Sequence, residues 1–257
     1  MMRLAERGYF ALCLALGWLL RSARYAKVRI VELDGDCHVR KRRLFYAPLL
    51  VSLSGPLIRL LDTGVVILPQ HDWEERERRV YGSLYGTSIR IDTDGMLLLP
   101  CLAGKTLAAL LEDAELEEPI RRKVIERAVV ALSQLHRLGF THGDAMAENV
   151  MIDLEAGVAR WFDFETIHES SRATVWRRAD DVRALLVTCL VRTAPEKLAE
   201  TLRFILYIYA DEEVTELLAT NFTSVFRRPL TFHLAQAGLS LQQFREIARL
   251  LREQLGD

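Results

Sequence analysis

Three side chains that carry oxygen atoms lie close together in the second half of the sequence. Asp144 and Asn149 are five positions apart, and Asp163 follows two short apolar segments, 150–153 and 158–162. The residues between these segments, Leu-Glu-Ala-Gly, are typical of a turn, so the segments are predicted to form a β-hairpin. Residues at the open end of a hairpin lie side by side, roughly 5 Å apart. Asn149 and Asp163 are therefore expected to meet in space.

This trio indicates chemistry on a phosphoryl group. An amide oxygen beside a carboxylate suits Mg²⁺ that is shared with phosphates. Asp144 lies on the loop that enters the first strand, where a carboxylate can orient a hydroxyl for attack on a metal-held phosphoryl group. Turn chemistry alone also places Asp and Asn at loop ends. The fixed spacing, the strand context and a preceding helix favour a functional site over that alternative.

The order His-x-Asp, four residues, Asn, then Asp-Phe resembles the catalytic and metal-binding loops of the protein-kinase-like superfamily. The resemblance implies that Asp144 is the catalytic base and that Asn149 and Asp163 bind Mg²⁺. It implies that His142 supports the loop.

Two positions depart from the protein-kinase pattern. Gly143 stands where protein kinases usually have Arg, which is similar to the aminoglycoside, choline and lipopolysaccharide kinases. Glu165 stands where protein kinases have Gly after Asp-Phe. The first departure indicates a kinase without regulation through a phosphorylated activation loop.

An earlier pair of strands is predicted around Asp34-Gly35, a strong hairpin signal. Cys37, Val39 and Lys41 share one face of the second strand because side chains alternate. The phrase Glu-Leu-Asp-Gly followed by this lysine resembles bacterial lipopolysaccharide core kinases, including the Kdo and heptose kinases. The resemblance implies that Lys41 binds nucleotide phosphates. No glycine-rich phosphate loop is visible before Lys41.

A helix is predicted to start at Asp72, with Glu75 completing a capping box. Its apolar stripe carries four residues at spacings of four, four and three: Trp73, Glu77, Tyr81 and Leu84. A carboxylate in an apolar stripe needs a cationic partner, because burying it alone costs several kcal/mol. Lys41 is the expected partner, which makes Glu77 the helix glutamate of the kinase ion pair.

The segment from Pro100 to Leu107 resembles the hinge between kinase lobes. The resemblance implies that the Pro100 carbonyl accepts a hydrogen bond from adenine and that the Leu102 amide donates one. A plain core strand is the alternative for residues 97–99. Further along, the helix predicted over 179–192 resembles the kinase helix whose aspartate braces the catalytic loop. Asp181 is expected in that role, with Asp180 as its rival.

Composition limits the classes of protein that fit. Half of the 257 residues are hydrophobic, which excludes wholesale disorder, and the net charge of −1 argues against a nucleic-acid binder with a global basic field. Cys13, Cys37, Cys101 and Cys189 show no metal-ligand or disulfide-framework spacing. That pattern predicts a reducing compartment and a cytoplasmic location.

Two apolar segments have alternative interpretations. Residues 9–20 are flanked by basic residues and are too short to span a bilayer. They form either a buried helix or an interfacial helix on the inner face of the cytoplasmic membrane. Residues 44–68 either pack on the small lobe or touch lipid.

Together, these patterns predict an α+β, two-lobed protein-kinase-like fold. We expect an N-terminal apolar helix in residues 1–24, a small antiparallel-sheet lobe with one key helix in 25–101, and a mainly helical lobe in 102–257. The expected activity is transfer of the ATP γ-phosphoryl group, with Mg²⁺, to a hydroxyl of a lipopolysaccharide-core or other membrane-presented sugar. A protein kinase, a small-molecule kinase and a non-catalytic pseudokinase scaffold remain alternatives.

Overall fold

A computed structural model describes residues 26–44, 64–92, 94–221 and 240–255, together with the single position 11. The predicted N-terminal helix of residues 1–24 and most of the apolar segment 44–68 lie outside these ranges. Within them, no helix combines the length and the apolar character that crossing a membrane requires.

The N-terminal part is built on a four-stranded antiparallel sheet in the order β1-β2-β5-β4. Its strands are β1 (Ala26–Leu33), β2 (Asp36–Arg43), β4 (Arg90–Ile91) and β5 (Leu97–Pro100). On β2, Lys41 lies opposite Val28 of β1 and Leu97 of β5. Directly opposed residues project from the same face of a sheet. One face of this sheet therefore carries Lys41 among apolar neighbours.

One helix, α1 (Gln70–Tyr85), packs with this sheet. It begins two residues before the predicted Asp72 cap, with Pro69 at the N-cap and no side-chain cap. The capping prediction is wrong because the amide of Trp73 bonds to the Pro69 carbonyl at 2.9 Å, which starts the helix earlier. Its buried face includes polar residues as well as apolar ones: Trp73, Arg76, Glu77, Val80 and Tyr81.

The C-terminal part is mainly helical. Its helices are α2 (Leu107–Leu111), α3 (Glu118–Arg137), α4 (Thr174–Leu190), α5 (Leu198–Tyr209), α6 (Glu212–Asn221) and α7 (Leu241–Leu255). The central helix α3 buries a stripe at helical spacing, including Val124, Ala128 and Leu135, against the rest of the core. The sequence indicates a helix before the loop that carries Asp144, and α3 is that helix.

Two small sheets hold the loops between these helices. β6 (Lys105–Thr106), β7 (Val150–Asp153) and β8 (Val158–Trp161) form a three-stranded antiparallel sheet, and β7 with β8 is the predicted hairpin. β3 (Val65–Ile67) pairs with β9 (Thr166–His168). The segment after Asp163 is thereby attached to the strand that precedes α1.

The sequence analysis expected no disulfide, and the structure corrects this. Cys37 and Cys101 form a disulfide with their Cα atoms 5.4 Å apart. The Cys101 amide also donates to the Cys37 carbonyl at 3.2 Å. The pairing of β2 with β5 brings together two cysteines separated by 64 positions, which spacing along the chain does not reveal. Cys189 is buried and free.

A small antiparallel sheet with one helix thus precedes a mainly helical part. This arrangement confirms the α+β, two-lobed fold class predicted from the sequence.

Candidate active site

The loop that carries Asp144 runs close to β9. Gly143 has φ of +84°, and a Cβ there would lie 3.0 Å from the Thr166 hydroxyl and 3.1 Å from the Ile167 amide nitrogen. Both the backbone conformation and the space therefore favour glycine. The close approach of β9 explains why this position carries no arginine.

Asp144 and Asn149 are joined directly. The Asn149 side-chain amide donates to the Asp144 carbonyl at 2.8 Å and to its carboxylate at 3.0 Å. Asp144 is half-buried, and burial together with the charge of Asp163 raises its pKa to about 7. The carboxylate is therefore poised to exchange a proton near neutral pH.

Asp163 lies beside this pair, as the hairpin predicts. The Phe162 amide donates to the Asn149 carbonyl at 3.0 Å, so Asp163 follows directly after the residue that faces Asn149. Asp163 has φ of +69°, a left-handed conformation that is uncommon for residues other than glycine. Such backbone strain is concentrated at functional sites.

Lys41 reaches this cluster from β2. It is 6% exposed, and its ammonium forms an ion pair with Asp163 and lies 3.9 Å from a Glu165 carboxylate oxygen. Its Nζ also lies 5.0 Å from the centre of the Trp73 ring. Burial disfavours the charged amine, yet the surrounding carboxylates, Asp163 first, hold the pKa of Lys41 above its usual value.

Glu77 lies near Lys41 but does not form the predicted ion pair. Its Oε1 accepts hydrogen bonds from the Trp73 indole at 3.1 Å and from the Phe164 amide at 3.2 Å. The ion-pair partners of Lys41 in the described part of the chain are Asp163 and Glu165. The prediction is wrong because the Phe164 amide and the indole hold Glu77, while the strained turn at Asp163 delivers a closer carboxylate to the amine.

Glu77 is still electrostatically coupled to the cluster. It is fully buried, and its Oε2 has no hydrogen-bond partner among the described residues. Burial raises the pKa of Glu77 to about 7, and the Lys41 charge partly opposes this rise.

His142 supports the loop from below, as the resemblance implied. Its Nε2 donates to the Phe162 carbonyl at 3.0 Å and its Nδ1 accepts from the Asp144 amide at 3.3 Å. The ring lies 4.8 Å from the Phe164 ring, centre to centre. Burial lowers the pKa of His142 to about 4, so the imidazole is neutral at pH 7 and links the Phe162 carbonyl to the Asp144 amide.

Asp181, and not Asp180, contacts the backbone of the loop that carries Asp144. Its carboxylate accepts from the His142 amide at 2.6 Å, the Gly143 amide at 2.8 Å and His136 Nε2 at 2.9 Å. Burial acts to raise the pKa of Asp181, but neighbouring histidines and these bonds hold it below its usual value. Asp180 instead lies 3.1 Å from His168 Nε2 and pairs with Arg183.

Two supporting residues escaped the sequence analysis. Arg76 on α1 donates from its buried guanidinium to the Thr141 carbonyl, which ties the helix to the catalytic loop. His168 on β9 lies 2.9 Å from the Thr141 hydroxyl. Both contacts join elements that are far apart in the sequence, so no spacing along the chain predicts them.

The sheet face that carries Lys41 is apolar beside the cluster. We call its residues Val28, Ile30, Val39 and Leu99 the apolar roof. Ile30 and Leu99 lie opposite Val39, in the row next to Lys41. Val28 is 56% exposed and Ile30 is 76% exposed, although they share this face with buried residues. Exposed apolar side chains in a row beside the cluster are suited to contact a flat aromatic ring.

The predicted hinge lies at the edge of this roof. Pro100 ends β5 opposite His38, and the disulfide cysteine Cys101 follows. In the part of the chain that the structure describes, the Leu102 amide has no hydrogen-bond acceptor. It is therefore available to a ligand, as the hinge prediction requires.

The donor set suits Mg²⁺ shared with a phosphate ligand. The Asn149 amide nitrogen is occupied by Asp144, which leaves its oxygen for a cation, and Asp163 supplies a carboxylate. Among the described residues, no cluster of three or more His, Cys, Asp or Glu could hold a metal alone. Mg²⁺ usually binds through one or two protein ligands together with phosphates and water.

Comparisons with known proteins complete this description. No protein-family model matches the chain, and no curated protein matches it. Among solved structures, the chain is similar to a MAP kinase from Leishmania major, with a TM-score of 0.41 and 14% identity. The match covers 92% of this chain and 81% of that chain. A similarity at this TM-score carries no argument about activity, so the functional assignment depends on the geometry of the site.

Proposed function

We propose that this protein is a phosphotransferase that moves the γ-phosphoryl group of ATP to a hydroxyl group. The observation that carries the proposal is the convergence of Asp144, Asn149 and Asp163 with Lys41. These residues come from one loop, one hairpin and a strand of the other lobe, and they form one connected cluster. A phosphoryl-transfer site needs this combination of a carboxylate near the acceptor, oxygen ligands for Mg²⁺ and a buried cation.

The roof and hinge support nucleotide binding. Val28, Ile30 and Val39 offer apolar contacts for adenine on the face that also carries Lys41. The free Leu102 amide would donate to the ring, and the Pro100 carbonyl would accept from its amine. Lys41 would then hold the phosphates.

Asn149 and Asp163 would hold Mg²⁺, which when bound neutralises charge that develops on the phosphates. Lys41 adds a second positive charge, fixed by burial and by its contact with the Trp73 ring. Asp144 would orient the acceptor hydroxyl and take its proton, a role suited to a carboxyl with a pKa of about 7. His142 and Asp181 position this carboxylate by fixing the backbone of the loop.

The acceptor that we favour is a lipopolysaccharide-core or other membrane-presented sugar. The Glu-Leu-Asp-Gly hairpin before Lys41 supports this class, as do the apolar segments 9–20 and 44–68, which lie outside the described residues. The short segment between Asp163 and Asp180 also supports this class of acceptor. Only seventeen positions separate Asp163 from Asp180, and part of that stretch is held by the pairing of β9 with β3. Protein kinases use a longer segment there.

One observation favours a non-catalytic scaffold as the second candidate. Lys41 is engaged by Asp163 and lies near Glu165, so the protein's own carboxylates compete with phosphates for this amine. The pKa of Glu165 is raised by burial and by Asp163, which favours a neutral side chain and weakens that competition.

The test of catalysis is Mg²⁺-dependent ATP consumption by the purified protein. We expect Asp144→Ala and Asp163→Ala to abolish it, while Glu200→Ala, an exposed carboxylate that pairs with Arg122 on the surface, leaves it unchanged. Equal activity in all four proteins would remove the catalytic assignment. Nucleotide binding without consumption in the wild type would support the scaffold.

The acceptor class needs a separate experiment. Transfer of labelled γ-phosphate in a bacterial membrane extract should label a glycolipid fraction, and Asp144→Ala should remove that label. Label that appears only in protein would defeat the glycolipid proposal and leave the phosphotransferase assignment intact. Flotation with anionic liposomes, with and without residues 1–22, tests membrane contact.

A further inference from the structure

A second concave site lies at the turn end of the β7/β8 hairpin. Helix α3, the end of α1 and residues 157–160 enclose a cavity of about 470 Å³. The lining residue nearest in sequence to the predicted metal ligands is Arg160, three residues before Asp163, or about 10 Å at roughly 3.3 Å per residue. No residue of the candidate active site lines the groove. The groove is therefore separate from the candidate active site.

One end of this groove is positively charged. Lys123 and Arg127 of α3 line it, against the single carboxylate of Glu126. Arg160 of β8 lines the groove nearer Tyr85. Arg127 is half-buried, and its Nη1 is shielded from solvent with no hydrogen-bond partner in the described structure. Lys123 and Arg160 also have no hydrogen bond or ion pair among the described residues. A shielded guanidinium without an acceptor is costly, so this end is built to receive an anion.

The other end of the groove is apolar. Leu84 and Tyr85 of α1 and Val130 and Ala131 of α3 line it. Val130 is 41% exposed, so its side chain is accessible to a ligand in the groove.

The groove is also elongated. Lys123, Arg127, Val130 and Gln134 follow spacings of four, three and four, which places them on one stripe of α3. That stripe is about 16 Å long at 1.5 Å per residue. About five residues of extended chain span the same length.

We infer that this groove binds a short extended segment of another protein, with two or more carboxylates followed by an apolar side chain. The carboxylates would lie on Lys123 and Arg127, and the apolar side chain would cover Val130. This inference does not depend on the proposed function. A compact anionic headgroup would use the cations but leave the apolar end uncovered, so a peptide fits the groove better.

The chain itself is a poor source of such a segment. Residues 1–25 contain a single carboxylate, Glu6, and residues 45–63 contain only Asp62. Residues 222–239 contain none and carry two arginines. A partner with clustered carboxylates supplies the charge that these segments lack.

Fluorescence anisotropy with synthetic peptides tests the inference. The probes are fluorescein-labelled heptapeptides with three adjacent glutamates followed by leucine, and matched sets with lysine or glutamine in place of glutamate. We expect only the glutamate set to bind the full-length protein, more weakly as salt concentration rises. Arg127→Glu should weaken binding about tenfold or more, and the exposed Lys123→Glu about threefold.

Controls make the result decisive. Arg137→Glu changes an exposed residue of the same helix outside the groove and should leave affinity unchanged. Circular dichroism checks that each variant folds, and Lys123→Glu keeps the test valid if Arg127→Glu does not fold. ATP consumption should stay within twofold in these variants, which separates failure of the groove from failure of the active site.

Several outcomes would overturn the inference. Equal binding of glutamate and lysine peptides, no binding by any set, or an equal loss in Arg137→Glu would each do so. Binding of vesicles made from equal parts phosphatidylglycerol and phosphatidylcholine, dependent on Arg127 and without peptide binding, would identify a membrane site instead.

Discussion

Glu77 in the cleft and Asp181 beneath the catalytic loop are both fully buried carboxylates, but their surroundings differ. Both oxygens of Asp181 accept hydrogen bonds, from two backbone amides and from His136. Only one oxygen of Glu77 does so, and its Oε2 has no partner among the described residues. The pKa of Asp181 is accordingly held below its usual value, whereas that of Glu77 is raised to about 7.

This difference in hydrogen bonding distinguishes a carboxylate that stabilises the fold from one that belongs to the candidate site. Donors that favour the ionised form make Asp181 a stabilising charge at neutral pH. In the cleft, Glu77 has one oxygen without a hydrogen-bond partner among the described residues, and Asp144 has a raised pKa. Such groups cost free energy of folding and are typical of sites that bind or transform a charged substrate.

The largest effect is expected for Asp144→Asn, which keeps the shape of the cleft and removes the base. ATP-dependent transfer should fall by about 10²- to 10⁴-fold, the usual contribution of a general base. Stability at pH 8 should not fall, because the neutral amide replaces a carboxylate whose pKa is raised. Initial rates and urea denaturation measure the two quantities. A fall of less than tenfold in rate would exclude Asp144 as the base.

Asp181→Ala, unlike Asp144→Asn, should lower the free energy of unfolding. Its removal leaves the His142 and Gly143 amides and His136 without their acceptor, at an expected cost of about 3–5 kcal/mol in unfolding free energy. A depressed pKa gives stability that is present above the unfolded value, about 4, and is lost as pH falls through the folded value. The difference between variant and wild type should therefore shrink below pH 4. A loss that stays constant to pH 2 would contradict the charge argument.

Glu77→Gln tests, through the pH dependence of stability, whether the pKa of Glu77 in the cleft is raised. A raised pKa gives stability that is present below the unfolded value of 4.5 and is lost as pH rises through the folded value of about 7. This span corresponds to about 3 kcal/mol at 1.36 kcal/mol per pKa unit. The wild type should lose stability between about pH 4.5 and pH 7, and the variant should lose less over that range. Identical slopes in denaturation series over this range would show that Glu77 titrates normally.

The sequence predicted the local part of the site and missed several of its non-local contacts. Asp144, Asn149 and Asp163 belong to one loop and one hairpin, so strand alternation and turn chemistry were enough to bring them together. The partner of Glu77 depends on how α1 sits against the turn after Asp163. The Phe164 amide reaches Glu77 at a separation of 87 positions, which no periodicity encodes.

The same limit applies to the other corrections. The disulfide of Cys37 with Cys101 follows from the register of β2 against β5. The contact of Arg76 with the Thr141 carbonyl follows from the packing of α1 on the catalytic loop. The choice of Asp181 over Asp180 depends on which of two adjacent helix residues faces that loop, and here the prediction and the structure agree.

Tyr209→Phe should have the smallest effect. It tests whether a residue beyond His136 helps to hold Asp181 in place. The Tyr209 hydroxyl lies 2.7 Å from His136 Nδ1. A carboxylate only accepts, so His136 donates from Nε2 to Asp181, and the Tyr209 hydroxyl is the partner of Nδ1. Removing the hydroxyl leaves this buried nitrogen without its partner, at a cost of about 1 kcal/mol. Transfer activity should stay within twofold.

A double-mutant cycle with Asp181→Asn measures this coupling directly. If Tyr209 acts by orienting His136 toward the carboxylate, the two changes together should cost less than the sum of the single changes, by about 0.5 kcal/mol or more. Additive losses would mean that the hydroxyl stabilises α5 on its own and that the support of Asp181 ends at His136.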